Sequence, residues 1–232
     1  MMKFFLATTI CLCSALLPTA KAKAADFNFS PSNTFEVVDG AFGGSFDGLG
    51  DEDAVFPGNF DTVFLGTVIE GSEHAEFDLS GFSISSEETI TEATYQVTVQ
   101  ANEAFAAGTN GQRPSSIAVR GYVGNGQPDA SDFQAGTILD TASISPEDIE
   151  ELINFDVTSF IQNIVSEQDD FAGFGIRAQT IGAIVLDRGT FSGKGPKLTI
   201  TTASTKTTVP EPNLALGILA SVILGKIAFK KK

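Results

Sequence analysis

The chain has 232 residues, 42% of them hydrophobic, with a formal net charge of −15 and an isoelectric point near 4.3. So acidic a chain carries no basic stripe to neutralise phosphates, which excludes nucleic acid as a partner. With two cysteines, one histidine and no tryptophan, it is also not a disulfide scaffold, and it has no pair of histidines to share a metal.

In chain order, Met1-Met2-Lys3 is a short basic start, residues 4–17 are an apolar core and Ala22-Lys23-Ala24 is a small-x-small cleavage site. The pattern predicts a secretory signal peptide over residues 1–24, cleaved after Ala24, with Ala20 and Ala25 as neighbouring cuts. Cys11 and Cys13 lie inside its apolar core. They follow Ile10 and Leu12, not the small residue that a lipoprotein cleavage box needs. The mature domain therefore has no thiol for a disulfide, a nucleophile or a metal, and its stability must come from its core.

Residues 25–60 read as an irregular arm rich in Gly, Asp and Phe, with a first strand at 34–38. Within the arm, Asp47-Gly48-Leu49-Gly50-Asp51-Glu52-Asp53 sets hard oxygen ligands among flexible glycines, which makes Asp47, Asp51 and Asp53 candidate calcium ligands. The spacing is not that of an EF-hand loop, and the alternative is a solvated acidic stretch. No other cofactor is expected.

Period-two alternation dominates residues 61–205, as in Thr94-Tyr95-Gln96-Val97-Thr98-Val99-Gln100, where Tyr95, Val97 and Val99 share the core face. Similar runs occur at 61–69, 76–79, 116–123, 137–142, 173–179, 183–186 and 197–201. Most are separated by Gly-, Asn- and Pro-rich turns such as Gly124-Asn125-Gly126-Gln127-Pro128. Helix is expected only at 146–152, behind Ser145, and at 159–165, where Ser159 and Gln162 have capping-box spacing. About eight strands with little helix predict an all-β, antiparallel β-sandwich, jelly-roll-like, in a single domain over 61–205.

The only histidine, His74, stands in a polar Gly-Ser-Glu-His run and reads as an exposed turn residue. No Cys-His or His-His constellation exists, so the chain reads as a non-enzyme. A glycoside hydrolase built on two of the many carboxylates is the weakest of three functional readings. All 29 acids except Glu211 fall within residues 26–208, where only Arg113, Arg120, Arg177, Arg188, Lys194, Lys197 and Lys206 are basic.

The succession Ala75-Glu76-Phe77-Asp78-Leu79-Ser80, Ile90-Thr91-Glu92-Ala93-Thr94-Tyr95-Gln96-Val97, Phe155-Asp156-Val157-Thr158, Gly173-Phe174-Gly175-Ile176-Arg177 and Leu186-Asp187-Arg188-Gly189-Thr190-Phe191 resembles the DNRLRE-type carbohydrate-binding modules. That resemblance implies a β-sandwich binding acidic or sulfated polysaccharide. The name-giving hexapeptide is missing, and Gln134-Ala135-Gly136 stands where the family often has a Trp-containing strand. By alternation, Arg120 and Tyr122 lie opposite Ile117 and Val119, while Arg177 and Gln179 lie opposite Phe174 and Ile176. These four form a candidate face for a uronate sugar. The competing reading pairs the two arginines with nearby carboxylates on a solvated face.

The chain ends with Val209-Pro210-Glu211-Pro212, an apolar run over 214–229 interrupted by Lys226, and Lys230-Lys231-Lys232. The prolines stop the preceding strand, and the run is short against the roughly 20 apolar residues that span a bilayer. Residues 206–232 resemble the PEP-CTERM sorting signal of exopolysaccharide-producing Gram-negative bacteria and cyanobacteria. The resemblance implies an exosortase as partner, transient membrane contact through a hydrophobic sorting helix at 214–229, and delivery to the outer cell surface or extracellular matrix. A plain tail anchor is the alternative. The leading expectation is an exosortase-processed protein associating non-catalytically with extracellular polysaccharide. A structural surface or matrix protein that binds other proteins without sugar recognition is the second.

Overall fold

The computed structural model describes residues 24–39, 54–55, 58–62, 67–99, 115–145, 148–180, 182–187, 189 and 193–205. They belong to one unit, Ala24–Thr205. The signal-peptide residues 1–23, the acidic loop with Asp47, Asp51 and Asp53, and the sorting motif Val209, Pro210, Glu211 and Pro212 lie outside the described residues, as does the run at 214–229. Among the described residues, no helix is long and apolar enough to cross a membrane.

The alternating segments fold into two antiparallel sheets. One has four strands, in the order β1 (Ala24–Phe29), β13 (Lys197–Ser204), β6 (Glu88–Thr98) and β9 (Leu152–Asp156). The other runs β11 (Gly182–Ala183), β4 (Gly58–Thr62), β5 (Thr67–Asp78), β10 (Phe171–Ala178), β7 (Ser116–Val123) and β8 (Thr137–Ser143), with β2 (Asn33–Asp39) also paired to β5. A small ladder joins β3 (Ala54–Val55) to β12 (Leu186–Asp187). The helix α1 (Thr158–Glu167) links β9 of the first sheet to β10 of the second.

Inward-facing residues make one large core that includes Ala93, Tyr95, Val97, Leu198 and Ile200 from the four-stranded sheet and Ala75, Phe77, Ile117, Val119, Phe174 and Ile176 from the larger one. Tyr95 stacks on Phe174 at 4.6 Å between ring centroids, and Phe77 meets both edge-on. Ile161 and Ile164 of α1 are buried too. Each fully buried Phe or Ile contributes about 1.5–3 kcal/mol, which is the stabilisation available to a domain with no disulfide.

Several expectations need correction. Residues 24–29 are not irregular: they form edge strand β1, with Asp26 and Asn28 accepting hydrogen bonds from the Thr201 and Thr199 hydroxyls. The expected strand at 61–69 is two strands, and Thr62 pairs with Thr67 as the chain reverses. The helix expected at 146–152 is not formed by its described residues, since Ile149 bridges Val99 and Leu152 opens β9. The second helix is present and longer than expected. Its first turn is held by Asp156, which accepts from both the Thr158 amide and hydroxyl, and not by a Ser159–Gln162 box.

Candidate functional site

The central strands of the larger sheet also bury much of their outer face. Residues 73–76 of β5 pair with β2 on one side and β10 on the other, so His74 sits mid-sheet, 1% exposed. The polar Gly-Ser-Glu-His run is strand, and the expected exposed turn is corrected. A hydrophilic string survives there because neighbours distant in sequence cover both of its faces. The His74 ring stacks on Phe35 at 5.1 Å and meets the Tyr122 edge at 5.7 Å. Both rings lie across glycines of β10. A Cβ on Gly173 would stand 2.3 Å from the Tyr122 ring, and one on Gly175 would stand 2.8 Å from His74. Glycine at these two strand positions makes the close approach possible.

The cover is the β7–β8 connection, residues 124–136. Its 3₁₀ turn, Ala130–Phe133, is closed by a reciprocal pair of bonds: Ser131 N–H to Asp129, and Asp129 N–H to Asp132. Phe133 is buried with Phe35 and Val37 in a second small core. The Arg177 guanidinium lies 3.8 Å from the Phe133 ring centroid, a cation–π contact. Arg120 donates from Nη2 to the Gly136 carbonyl at 2.6 Å and from Nε to that of Ala135 at 3.3 Å.

Alternation therefore placed Arg120, Tyr122 and Arg177 correctly on one sheet face, but that face is closed. Tyr122 is 4% exposed, Arg120 ties down the cover and Arg177 supports it. Gln179 alone of the four is exposed, just past the strand end, with its backbone N–H donating to Ser116 O. The register shift at Val119/Arg120 leaves Leu139 of β8 as an extra residue where the cover begins to return to the sheet.

Burial governs the chemistry of this closed face. It holds the His74 imidazole down at about 3, assisted by the Arg177 charge. It raises the Glu76 carboxyl, with the Asp132 charge adding to the effect, and raises Asp132 as well. The Tyr122 hydroxyl is pushed upward by burial and then by both carboxylates. Ser72 Oγ and His74 Nε2 share a hydrogen bond of 2.7 Å, yet Ser72 is 0% exposed and His74 Nδ1 has no partner. A nucleophilic Ser–His pair needs access and a group orienting the base. This pair has neither. Among the described residues, no three His, Cys, Asp or Glu side chains converge to hold a metal ion.

Open concave surface lies elsewhere, where the β5–β6 connection faces the C-terminal half of α1. A depression of about 330 Å³ is lined by Leu79, Ser80, Phe82, Ser83, Ile84, Val165, Gln168, Asp169 and Asp170. A second, of about 410 Å³, shares Ile84 and Val165 with it and adds Thr89, Ile90, Gln162 and Ser166. Phe82 is half-buried and held edge-on by Phe27 and Phe29 at 5.1 and 5.5 Å. The left-handed backbone of Gln168, at φ 63°, ends α1 and turns Asp169 and Asp170 toward the β5 end, where Leu79 N–H bonds Asp170 O. Sequence reading gave Asp169-Asp170 only a weak claim as metal ligands and did not single out Phe82, whose Phe82-Ser83-Ile84-Ser85 alternation is too short to read as a strand. The αL position after a helix was the available signal.

No family model matches the chain, and no curated protein matches it.

Proposed function

We propose that this is an exported, non-catalytic surface or matrix protein whose jelly-roll-like β-sandwich associates with extracellular polysaccharide. The observation that carries the reading is the combination of an all-β domain with two address-like ends, a signal-peptide pattern at 1–24 and a PEP-CTERM-like tail at 206–232. Removal of both ends, the latter by an exosortase, fits the strand pairing. Ala24 of β1 lies opposite Ala203 of β13, so both processing points adjoin the same end of one ladder and neither cut removes a core strand. A binding role is favoured over catalysis because the described Ser, His and Glu of the closed face are sealed from substrate.

The test combines cell fractionation with polysaccharide retention. The expected protein is found outside the cell, begins near Ala25, lacks the C-terminal apolar run, and is held on matrix polysaccharide without generating reducing ends. Release of reducing sugar would make it a hydrolase. Retention of the intact chain in the cytoplasm would overturn the export reading. Exposed Ile138 and Leu152, at 52% and 56% on the sheet-edge strands β8 and β9, favour protein–protein association as the second reading.

A further inference from the structure

Polysaccharide binding, where it occurs, needs an open concave surface with partly exposed apolar area and polar groups free to pair with hydroxyls. The expected face around Tyr122 is closed, whereas the depression between the β5–β6 connection and α1 meets each requirement. Its volume of about 330 Å³ lies at the lower end of ligand-sized sites, which begin near about 300 Å³. The adjoining depression of about 410 Å³ extends it along α1, as a chain-like ligand needs and a single sugar does not. Phe82 supplies a half-buried ring whose orientation is fixed by two other rings. The side chains of Ser83, Gln168 and Asp170 are exposed and that of Asp169 is half-buried, so their donors and acceptors reach solvent at the depression.

The charge of the site decides the class of ligand. Neither depression has a Lys, Arg or His in its lining, and the first carries two carboxylates. A uronate or sulfated chain would meet like charge there, and such juxtaposition works against binding. A neutral sugar instead offers hydroxyl donors to the carboxylates, and hydrogen bonds to an ionised acceptor are the stronger kind. From this juxtaposition of Phe82, Gln168, Asp169 and Asp170 beside an extended groove we infer that the polysaccharide site lies between the β5–β6 connection and α1 and takes a neutral glycan chain. The inference rests on the polysaccharide reading above and replaces the acidic ligand that the family resemblance implied.

The experiment measures retention of the full chain on immobilised neutral polysaccharides (dextran, a β-1,3-glucan, a galactomannan) and acidic ones (alginate, polygalacturonate). The wild type is compared with Phe82→Ala and with the double variant Asp169→Asn, Asp170→Asn. The expected result is retention on at least one neutral glycan, reduced at least tenfold in both variants while their thermal midpoints stay at the wild-type value. Should Phe82→Ala lower the midpoint, the double variant, altered only in charge, decides. Undiminished neutral-glycan retention by the double variant overturns the groove while leaving polysaccharide association standing. Retention on acidic glycans alone does the same. Retention on no glycan overturns both readings. Groove-dependent binding of polylysine without glycan retention makes the site one for a cationic peptide and also overturns the proposal.

Discussion

Burial between Phe35 and Tyr122, with the Arg177 charge on the same face, keeps the His74 imidazole neutral down to about pH 3. In the unfolded chain it takes a proton near its ordinary value of 6.5. Between those two values the unfolded state binds the extra proton, so stability falls as pH drops, by at most about 1.4 kcal/mol per pH unit from this group. Glu76 and Asp132 act with the opposite sign. Their raised carboxyls contribute stability below their ordinary range, and it is lost as pH rises through the raised values. His74→Gln retains a partner for Ser72 and removes the titration. Urea midpoints from pH 4 to 8 should show a flatter acid limb in the variant, and an unchanged limb would mean that His74 titrates normally. Tyr95 supplies a second test, because its hydroxyl is buried without a partner in the aromatic core. An unsatisfied buried hydroxyl costs about 1–3 kcal/mol. Tyr95→Phe should therefore be at least as stable as the wild type, and a loss above about 1 kcal/mol would reveal a partner for the hydroxyl. The shared face of Arg120, Tyr122 and Arg177 was legible from alternation alone. That the face is closed was not, because the covering residue, Phe133, lies in a polar stretch with no periodicity of its own.

At the level of elements, the 124–136 cover is fastened toward its C-terminal end by the two Arg120 hydrogen bonds and by buried Phe133. Hydrogen bonds from a charged donor are worth about 1.5–3 kcal/mol each when buried, and less at this half-exposed position. Arg120→Ala should raise amide exchange across 124–136 at least tenfold while leaving β13 unchanged. Arg120→Lys should not restore protection, since a single ammonium cannot span two carbonyls as a guanidinium fork does. Equal exchange in wild type and Arg120→Ala would show that the remaining contacts, Phe133 with Arg177 and the bonds of Gly124 and Gly126 to Phe171 and Asn33, hold the cover without it. Glycan retention should be unaffected in either variant, because the cover and the groove are separate parts of the fold. Strands with one buried and one wetter face, such as β6 and β13, were legible from their period of two. The middle of β5 was not. Its Ser72, Glu73, His74 and Glu76 are buried under β2, β10 and the returning loop, contacts set by topology and not by local pattern. β1 escaped notice for the reverse reason: an edge strand buries little, and its burial pattern is mostly exposed.

Across the whole molecule, the two-sheet core must overcome the self-repulsion of an acidic surface, with a net charge of −15 at pH 7 over the full chain. Such repulsion destabilises the compact state and is screened over about 10 Å at 0.1 M salt. Raising sodium chloride from 10 to 150 mM should therefore lift the thermal midpoint, with each kcal/mol of relief appearing as about 2–4 °C in a domain of this size. Divalent ions should do the same at lower concentration, and the comparison between them carries the information. Diffuse attraction depends on charge alone, so calcium and magnesium at matched ionic strength should raise the midpoint equally. A site of hard oxygens on flexible glycines favours calcium, because magnesium demands octahedral geometry and sheds water reluctantly. The acidity of the chain is enough to attract divalent ions diffusely, so the expected outcome is equality. A saturable calcium increment absent with magnesium, and abolished by Asp51→Asn with Asp53→Asn, would overturn the diffuse account and place a specific site in the 47–53 loop.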